Sequence, residues 1–229
     1  MVSLNINPVV CRNNIAPPSQ FLSHQFGAMA GHIGLVASEY CYKKDEEIFG
    51  EDEPAEYVYQ VITGGVRSYK LLSDGRRQIG AFYLPGEVFG LESSSAHRLA
   101  AETIVDTTVR LVKPGSLERL ASLNVEIAHS LWAMTAFELE HAENHMLLLG
   151  RKSAMKRIAN FLLEMDARLA SAGVMTLPMC RRDIGDYLGL TLETVSRALS
   201  QLEAQRVLGF SGARQIALLN RQYLQKIDD

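Results

Sequence analysis

Glu193, Ser196 and Arg197 are spaced three and four residues apart in the stretch Leu192-Glu-Thr-Val-Ser-Arg-Ala-Leu-Ser-Gln-Leu-Glu203. On a helix, that spacing puts all three side chains on one face within about one turn. An arginine fork matches the paired acceptors of guanine, a glutamate accepts from the cytosine amino group, and a serine hydroxyl bonds to several base edges. The simpler reading of Glu193 and Arg197 is a solvated salt bridge on an amphipathic helix. The elements around them decide between the two. Ile184 and Leu188, then Val195, Leu199 and Leu202, are apolar at helical spacing, with Gly189-Leu190-Thr191 between them. That pattern predicts two short helices joined by a glycine turn, with Thr191 capping the second. Arg181 and Arg182 open the first helix, while Thr194, Ser200 and Gln201 add polar groups to the second. A helix-turn-helix has this arrangement, and its second helix lies in the major groove.

The run Arg182-Asp-Ile-Gly-Asp-Tyr-Leu-Gly-Leu-Thr-Leu-Glu-Thr-Val-Ser-Arg-Ala-Leu-Ser-Gln-Leu-Glu203 resembles the DNA-binding signature of the CRP/FNR family of bacterial transcription regulators. Glu193, Ser196 and Arg197 match the Glu-x-x-Ser-Arg reading set of the FNR and FixK branch. The catabolite-activator branch has glycine where Ser196 stands and arginine where Leu192 stands. Leu192 is therefore expected to touch a thymine methyl or nothing. The resemblance implies a twofold-symmetric double-stranded DNA site of TTGAT and ATCAA half-sites, a homodimer, contact with RNA polymerase and an activator role. It places the chain nearest the FixK-type branch, which governs low-oxygen respiration and nitrogen-fixation genes. The expected backbone contacts are Arg181, Arg182, Thr191, Thr194, Ser200 and Arg214.

The 229 residues carry a formal net charge of −3, an unpromising total for a DNA-binding protein. The charge is unevenly divided. Residues 1–150 hold 11 Lys/Arg against 18 Asp/Glu, whereas residues 151–229 hold 12 against 8. The basic excess falls in the segment with the helix-turn-helix, as phosphate contacts require. No run of eighteen apolar residues and no charged start followed by an apolar stretch occurs, so neither a membrane span nor a secretory signal is expected. Cys11, Cys41 and Cys180 are far apart and odd in number, which argues against a disulfide framework and for a reducing cytoplasm. Residues 1–20, rich in Asn, Pro and Ser, read as a loose tail.

Residues 21–115 are expected to form an antiparallel β-roll. Tyr40–Tyr42, Tyr57–Ile62, Val66–Leu72, Arg77–Leu84 and Thr107–Val112 are rich in β-branched and aromatic residues, and turn residues separate them. Many short strands with glycine punctuation indicate a roll or barrel, and in the family these glycines resemble those of the cyclic-nucleotide-binding roll. Nucleotide-binding members carry a ribose-binding Glu and then an Arg-Ser or Arg-Thr pair for the phosphate. Here Glu92 is displaced by one position and Arg98 is followed by Leu99, so a buried anionic phosphate would lack its partners. A lone Cys11 with Cys41 does not supply the four thiolates of an iron–sulfur cluster. His141 and His145 have the i, i+4 spacing of a chelating pair, but no third ligand is evident and a polar helix face is the better reading. No cofactor and no metal are expected.

Residues 116–150 change to a helical period. Val125, Ala128, Trp132, Thr135, Leu139, Ala142, Met146 and Leu149 form a heptad seam, and Ile127, Leu131, Met134 and Leu148 a second apolar face. One long helix could therefore pack on its own roll and on a second copy, giving a parallel dimer. Gly150 marks the expected hinge, and residues 151–229 a winged helix-turn-helix in which Val207–Phe210 and Gln215–Leu219 flank a wing tip bearing Arg214. The expected fold is α+β: an N-terminal antiparallel β-roll, a long dimerisation helix and a C-terminal winged helix-turn-helix. No nucleophile–base group, phosphate loop or closed metal set points to an enzyme. The reading is a dimeric transcription regulator, with an effector-sensing roll as the alternative. Ser73–Arg77 and Ser171–Met175 are candidate polymerase loops. Cys180 stands before two arginines at a helix start, an environment that favours thiolate and hence oxidation, with loss of DNA binding by repulsion from phosphate.

Overall fold

The computed structural model describes residues 37–151, 153–169, 173–212 and 214–228. The proposed tail at residues 1–20 and the start of the expected roll at 21–36 lie outside them. The first eight strands are β1 (Ala37–Tyr42), β2 (Glu47–Phe49), β3 (Val58–Thr63), β4 (Val66–Leu71), β5 (Arg77–Tyr83), β6 (Val88–Phe89), β7 (Ala100–Thr103) and β8 (Thr107–Val112). They form two four-stranded sheets, ordered β1-β8-β3-β6 and β2-β7-β4-β5, with antiparallel pairing throughout. Phe49, Tyr59, Val61, Val66, Phe89, Ala101 and Val109 form a buried cluster drawn from both sheets. Alternation along the strands supplies it, because every second side chain faces inward. The five strand runs read from the sequence are all present. The two- to four-residue strands β2, β6 and β7 carry too few residues to show a period.

The helical stretch after the roll divides in two. Helix α1 (Pro114–Leu123) starts with its proline in the first turn, and α2 spans Val125–Arg151. Asn124 between them is extended, and its side-chain oxygen accepts from the amides of Glu126 and Ile127, capping the second helix. The expected single helix is corrected at this residue. Gly150 is not the break either: α2 runs through it, and Ser153 caps the next helix by accepting from the Lys156 amide.

The C-terminal part comprises α3 (Ala154–Arg168), β9 (Val174–Thr176), α4 (Arg181–Leu188), α5 (Leu192–Ala204), β10 (Leu208–Phe210), β11 (Gln215–Leu218) and α6 (Arg221–Asp228). The wing is three-stranded, ordered β10-β11-β9. Its third strand and α6 extend beyond the hairpin expected from the sequence. One hydrophobic core runs from the roll (Ile79, Phe82, Leu84, Ile104) through α3 (Ile158, Phe161, Leu162, Met165) to the helix-turn-helix (Ile184, Tyr187, Leu188, Leu199, Leu202). Roll and C-terminal unit are thus welded by a shared apolar interior.

Candidate nucleic-acid interface

Helix α4 is eight residues long and depends on its ends. At its start the Asp183 carboxylate accepts from the Cys180 amide at 3.0 Å, closing a capping box. At its end Gly189 takes the left-handed conformation (φ 62°), which glycine adopts without a Cβ penalty. Gly185 is required for a different reason. A Cβ there would lie 2.7 Å from the Leu190 carbonyl oxygen, so the helix and the turn approach more closely than any side chain permits. Thr191 then caps α5, its hydroxyl accepting from the Thr194 amide at 3.2 Å.

Val195, Ala198, Leu199 and Leu202 turn inward from α5 and are buried. Leu192, Glu193, Arg197 and Ser200 are exposed, and Ser196 and Thr194 are half-buried beside them. The candidate base contacts therefore share the outward face of the helix start. The Glu193 carboxyl is held below its ordinary range by its own backbone amide and the Thr191 hydroxyl, with smaller pulls from Arg197 and Arg182. Helix-capping groups, more than a salt bridge to Arg197, set its charge state. It is an ionised acceptor at neutral pH, the state a cytosine amino group requires.

The flanking candidates are arranged around this face. Arg182 is exposed at the start of α4, and the Arg181 guanidinium lies 5.8 Å from the centroid of Phe210 on the wing. Thr191 and Thr194 are joined by a hydroxyl contact of 3.1 Å, so both serve the cap. Arg214 is half-buried at the wing, where its carbonyl accepts from Leu177 and Ser211 bonds to Gln215 at 2.7 Å. Cys180 is exposed and is the free thiol among the described residues. Cys41 is disulfide-bonded, a bond that the wide and odd spacing of the three cysteines does not lead one to expect.

Sequence reasoning missed the groups behind the site. Asp183 Oδ1 accepts from Arg67 Nη1 at 3.1 Å and from Arg77 Nη2 at 2.6 Å, and Asp186 Oδ2 accepts from Arg77 at 2.9 and 3.1 Å. Arg67 also donates to Glu102 at 2.8 Å and to Asp45 at 3.1 Å. Burial alone would raise the Asp183 carboxyl; contacts with Cys180 and the two guanidiniums outweigh it and hold the group below its usual range. Arg77 thus faces the helix-turn-helix, which removes it from the expected polymerase loop. A second polar cluster joins Arg168 of α3 to Glu87 of the roll at 2.7 Å and to Glu164 at 2.7 Å. His141 donates to or accepts from the same Glu164 at 3.0 Å, and His145 stacks on Tyr187 at 4.1 Å. The histidine pair is therefore built into helix packing.

On α2 the two apolar faces separate as expected. Ile127, Met134 and Leu148 are buried and Leu131 is half-buried, against the chain's own core. Along the heptad seam Trp132 is 76 % exposed, Val125 72 %, Met146 65 % and Leu139 60 %. Thr135 and Ala142 are exposed, and Ala128 and Leu149 half-buried. In the roll, a cavity of about 180 Å³ is bounded by Phe89, Gly90, Glu92, Arg98 and Thr135. Arg98, the cation a phosphate would need, donates to Glu92 at 3.1 Å.

Residues 156–227 match the Crp-like helix-turn-helix domain, and residues 40–124 the cyclic nucleotide-binding domain. The chain is 43 % identical to the nitrogen fixation regulation protein FixK of Azorhizobium caulinodans, over 86 % of its length and 81 % of that protein's. It is 39 % identical to the FixK protein of Rhizobium meliloti, over 92 % and 95 % of the two chains. The solved structure of FixK2 from Bradyrhizobium japonicum superposes with a TM-score of 0.82 at 75 % identity, covering 85 % of this chain and 98 % of that one. The chain is a transcription regulator of the CRP/FNR family, in its FixK-type branch.

Proposed function

We propose that the protein is a homodimeric, sequence-specific activator that reads a palindrome of TTGAT and ATCAA half-sites in the cytoplasm. The observation that carries this reading is the outward face at the start of α5, where Glu193 and Arg197 are exposed and Ser196 is half-buried between them, unmasked by the roll. Two copies are needed to read two half-sites, and the exposed seam of α2 suits a parallel pairing of that kind. FixK relatives are named for nitrogen-fixation regulation, and we assign this chain to the control of such genes and to the low-oxygen response that the family resemblance implies, acting through RNA polymerase. The turn Asp74–Arg76, exposed at the end of the β4–β5 hairpin, remains a candidate polymerase contact, whereas Arg77 does not.

The pairing of Arg98 with Glu92 favours a regulator that binds DNA without a cyclic nucleotide. Control then falls on chemical modification, for which exposed Cys180 at the DNA-facing helix start is suited. The cavity beside Thr135 supports the second reading, a roll that binds a small effector. A binding titration on a TTGAT/ATCAA duplex with purified protein and no additive tests the proposal. Binding that requires an added small molecule would favour the effector reading, and no binding to the palindrome under any condition would sink both.

A further inference from the structure

We propose that Asp183 is a positioning residue for DNA recognition: its carboxylate both caps the first helix of the helix-turn-helix and locks that helix onto Arg67 and Arg77 of the β-roll. The roll thereby sets the direction in which the reading helix points.

The two oxygens of Asp183 divide the work. Oδ2 accepts from the Cys180 amide at the start of α4, and Oδ1 accepts from both guanidiniums. The Arg67 side chain is 7 % exposed and that of Asp183 4 %. Charges so buried are stable only when paired; without Asp183, Arg67 keeps Glu102 and Asp45, so what is lost is its link to α4. The second arm adds a constraint on rotation. Arg77 bridges Asp183 and Asp186, which stand one turn apart on α4, so the helix is held at two points and cannot roll about its axis. Gln78 follows, donating to the Tyr187 carbonyl at 3.3 Å.

The shared apolar core holds the two units together, but apolar contact is non-directional and tolerates several rotations. Fork-shaped guanidinium bonds are directional and select one. The docked face of α4 is also not the face that meets DNA: Arg182, Cys180, Glu193 and Arg197 are all exposed while the clamp is formed. The clamp therefore presents the reading helix and does not mask it. Its importance follows from geometry. A single half-site can be met by a loosely hung recognition helix, whereas two half-sites a fixed distance apart need both helices held in place.

This inference rests on the twofold-site reading, and the test separates the two. Binding of the full-length protein is measured by fluorescence anisotropy on a TTGAT/ATCAA duplex and on a duplex with one half-site scrambled. Asp183→Asn keeps an oxygen for the Cys180 amide and removes the charge; Arg77→Gln removes the second arm; Arg77→Lys restores its charge. Asp183→Asn and Arg77→Gln are expected to bind the palindrome at least about tenfold more weakly while half-site binding stays within about twofold, with partial recovery in Arg77→Lys. Folded variants with wild-type affinity for the palindrome would overturn the inference. So would an equal loss on both duplexes, which would make Asp183 a local cap only. If Asp183→Asn does not fold, Arg77→Gln decides by the same criterion. A wild-type protein with no preference for the palindrome would overturn the twofold-site reading and this inference together; a preference shared by wild type and variants would overturn this inference alone.

Discussion

Asp183 and Arg77 lie 106 residues apart in the chain and meet at 2.6 Å, where a carboxylate of the DNA-binding unit is gripped by a guanidinium of the β-roll. Glu193 and Arg197, four residues apart, are the local counterpart, and they face solvent. The first pair belongs to the interior and sets geometry. The second is exposed, as the proposed base contacts require.

The proposed base contacts should have separable roles. Arg197→Ala is expected to cost about 1–3 kcal/mol per half-site and to relax preference at the guanine it faces. Glu193→Ala should relax preference at a cytosine. Anisotropy titrations on duplexes substituted at single positions check both, and wild-type discrimination in both variants would remove the recognition role from α5.

The α2 seam makes a prediction about assembly. Trp132→Glu and Leu139→Glu leave the monomer's own core untouched, because both side chains are exposed on the single chain. A charge buried at a dimer interface costs several kcal/mol, so each variant should sediment as a folded monomer with weak palindrome binding. An intact dimer in both would shift the interface to another surface.

Stability should depend on pH through His141. Its pKa is raised above the ordinary 6.5, chiefly by the hydrogen bond to Glu164. The stabilisation is therefore complete below pH 6.5 and is lost as pH rises through the elevated value. His141→Gln should lower the melting temperature most near pH 6, and the gap should narrow toward pH 8.5. Burial lowers the pKa of His145, and the charge of His141 lowers it further, so His145 works in the opposite sense and takes part of the gap at low pH. A gap that widens with pH would refute the assignment.

Oxidation of Cys180 to its higher acids would place negative charge beside Arg181 and Arg182, close to the phosphates in the proposed complex. Cys180→Asp should mimic that state and bind the palindrome poorly. Cys180→Ser should bind normally and resist peroxide. Full DNA affinity of the wild type after mass spectrometry has verified oxidation at Cys180 would leave the residue a structural one.

What the sequence by itself determined was local. Thr191, Gly189 and the apolar spacing from Ile184 to Leu202 specify two short helices and a turn, because caps, left-handed glycine and a 3.6-residue period act within a few residues. The two faces of α2 were legible for the same reason, since each is a repeat along one element. The tertiary structure decided whatever depends on distant partners. Strands of two to four residues such as β6 and β7 exist only because neighbours complete their ladders. Asn124 divides a continuous apolar pattern because its side chain bonds to the next turn and not along the first. Arg67 and Arg77 look in sequence like two strand residues beside solvent. They became clamps because the fold, through loop closure over more than a hundred residues, brought Asp183 to them, and no local pattern encodes that meeting.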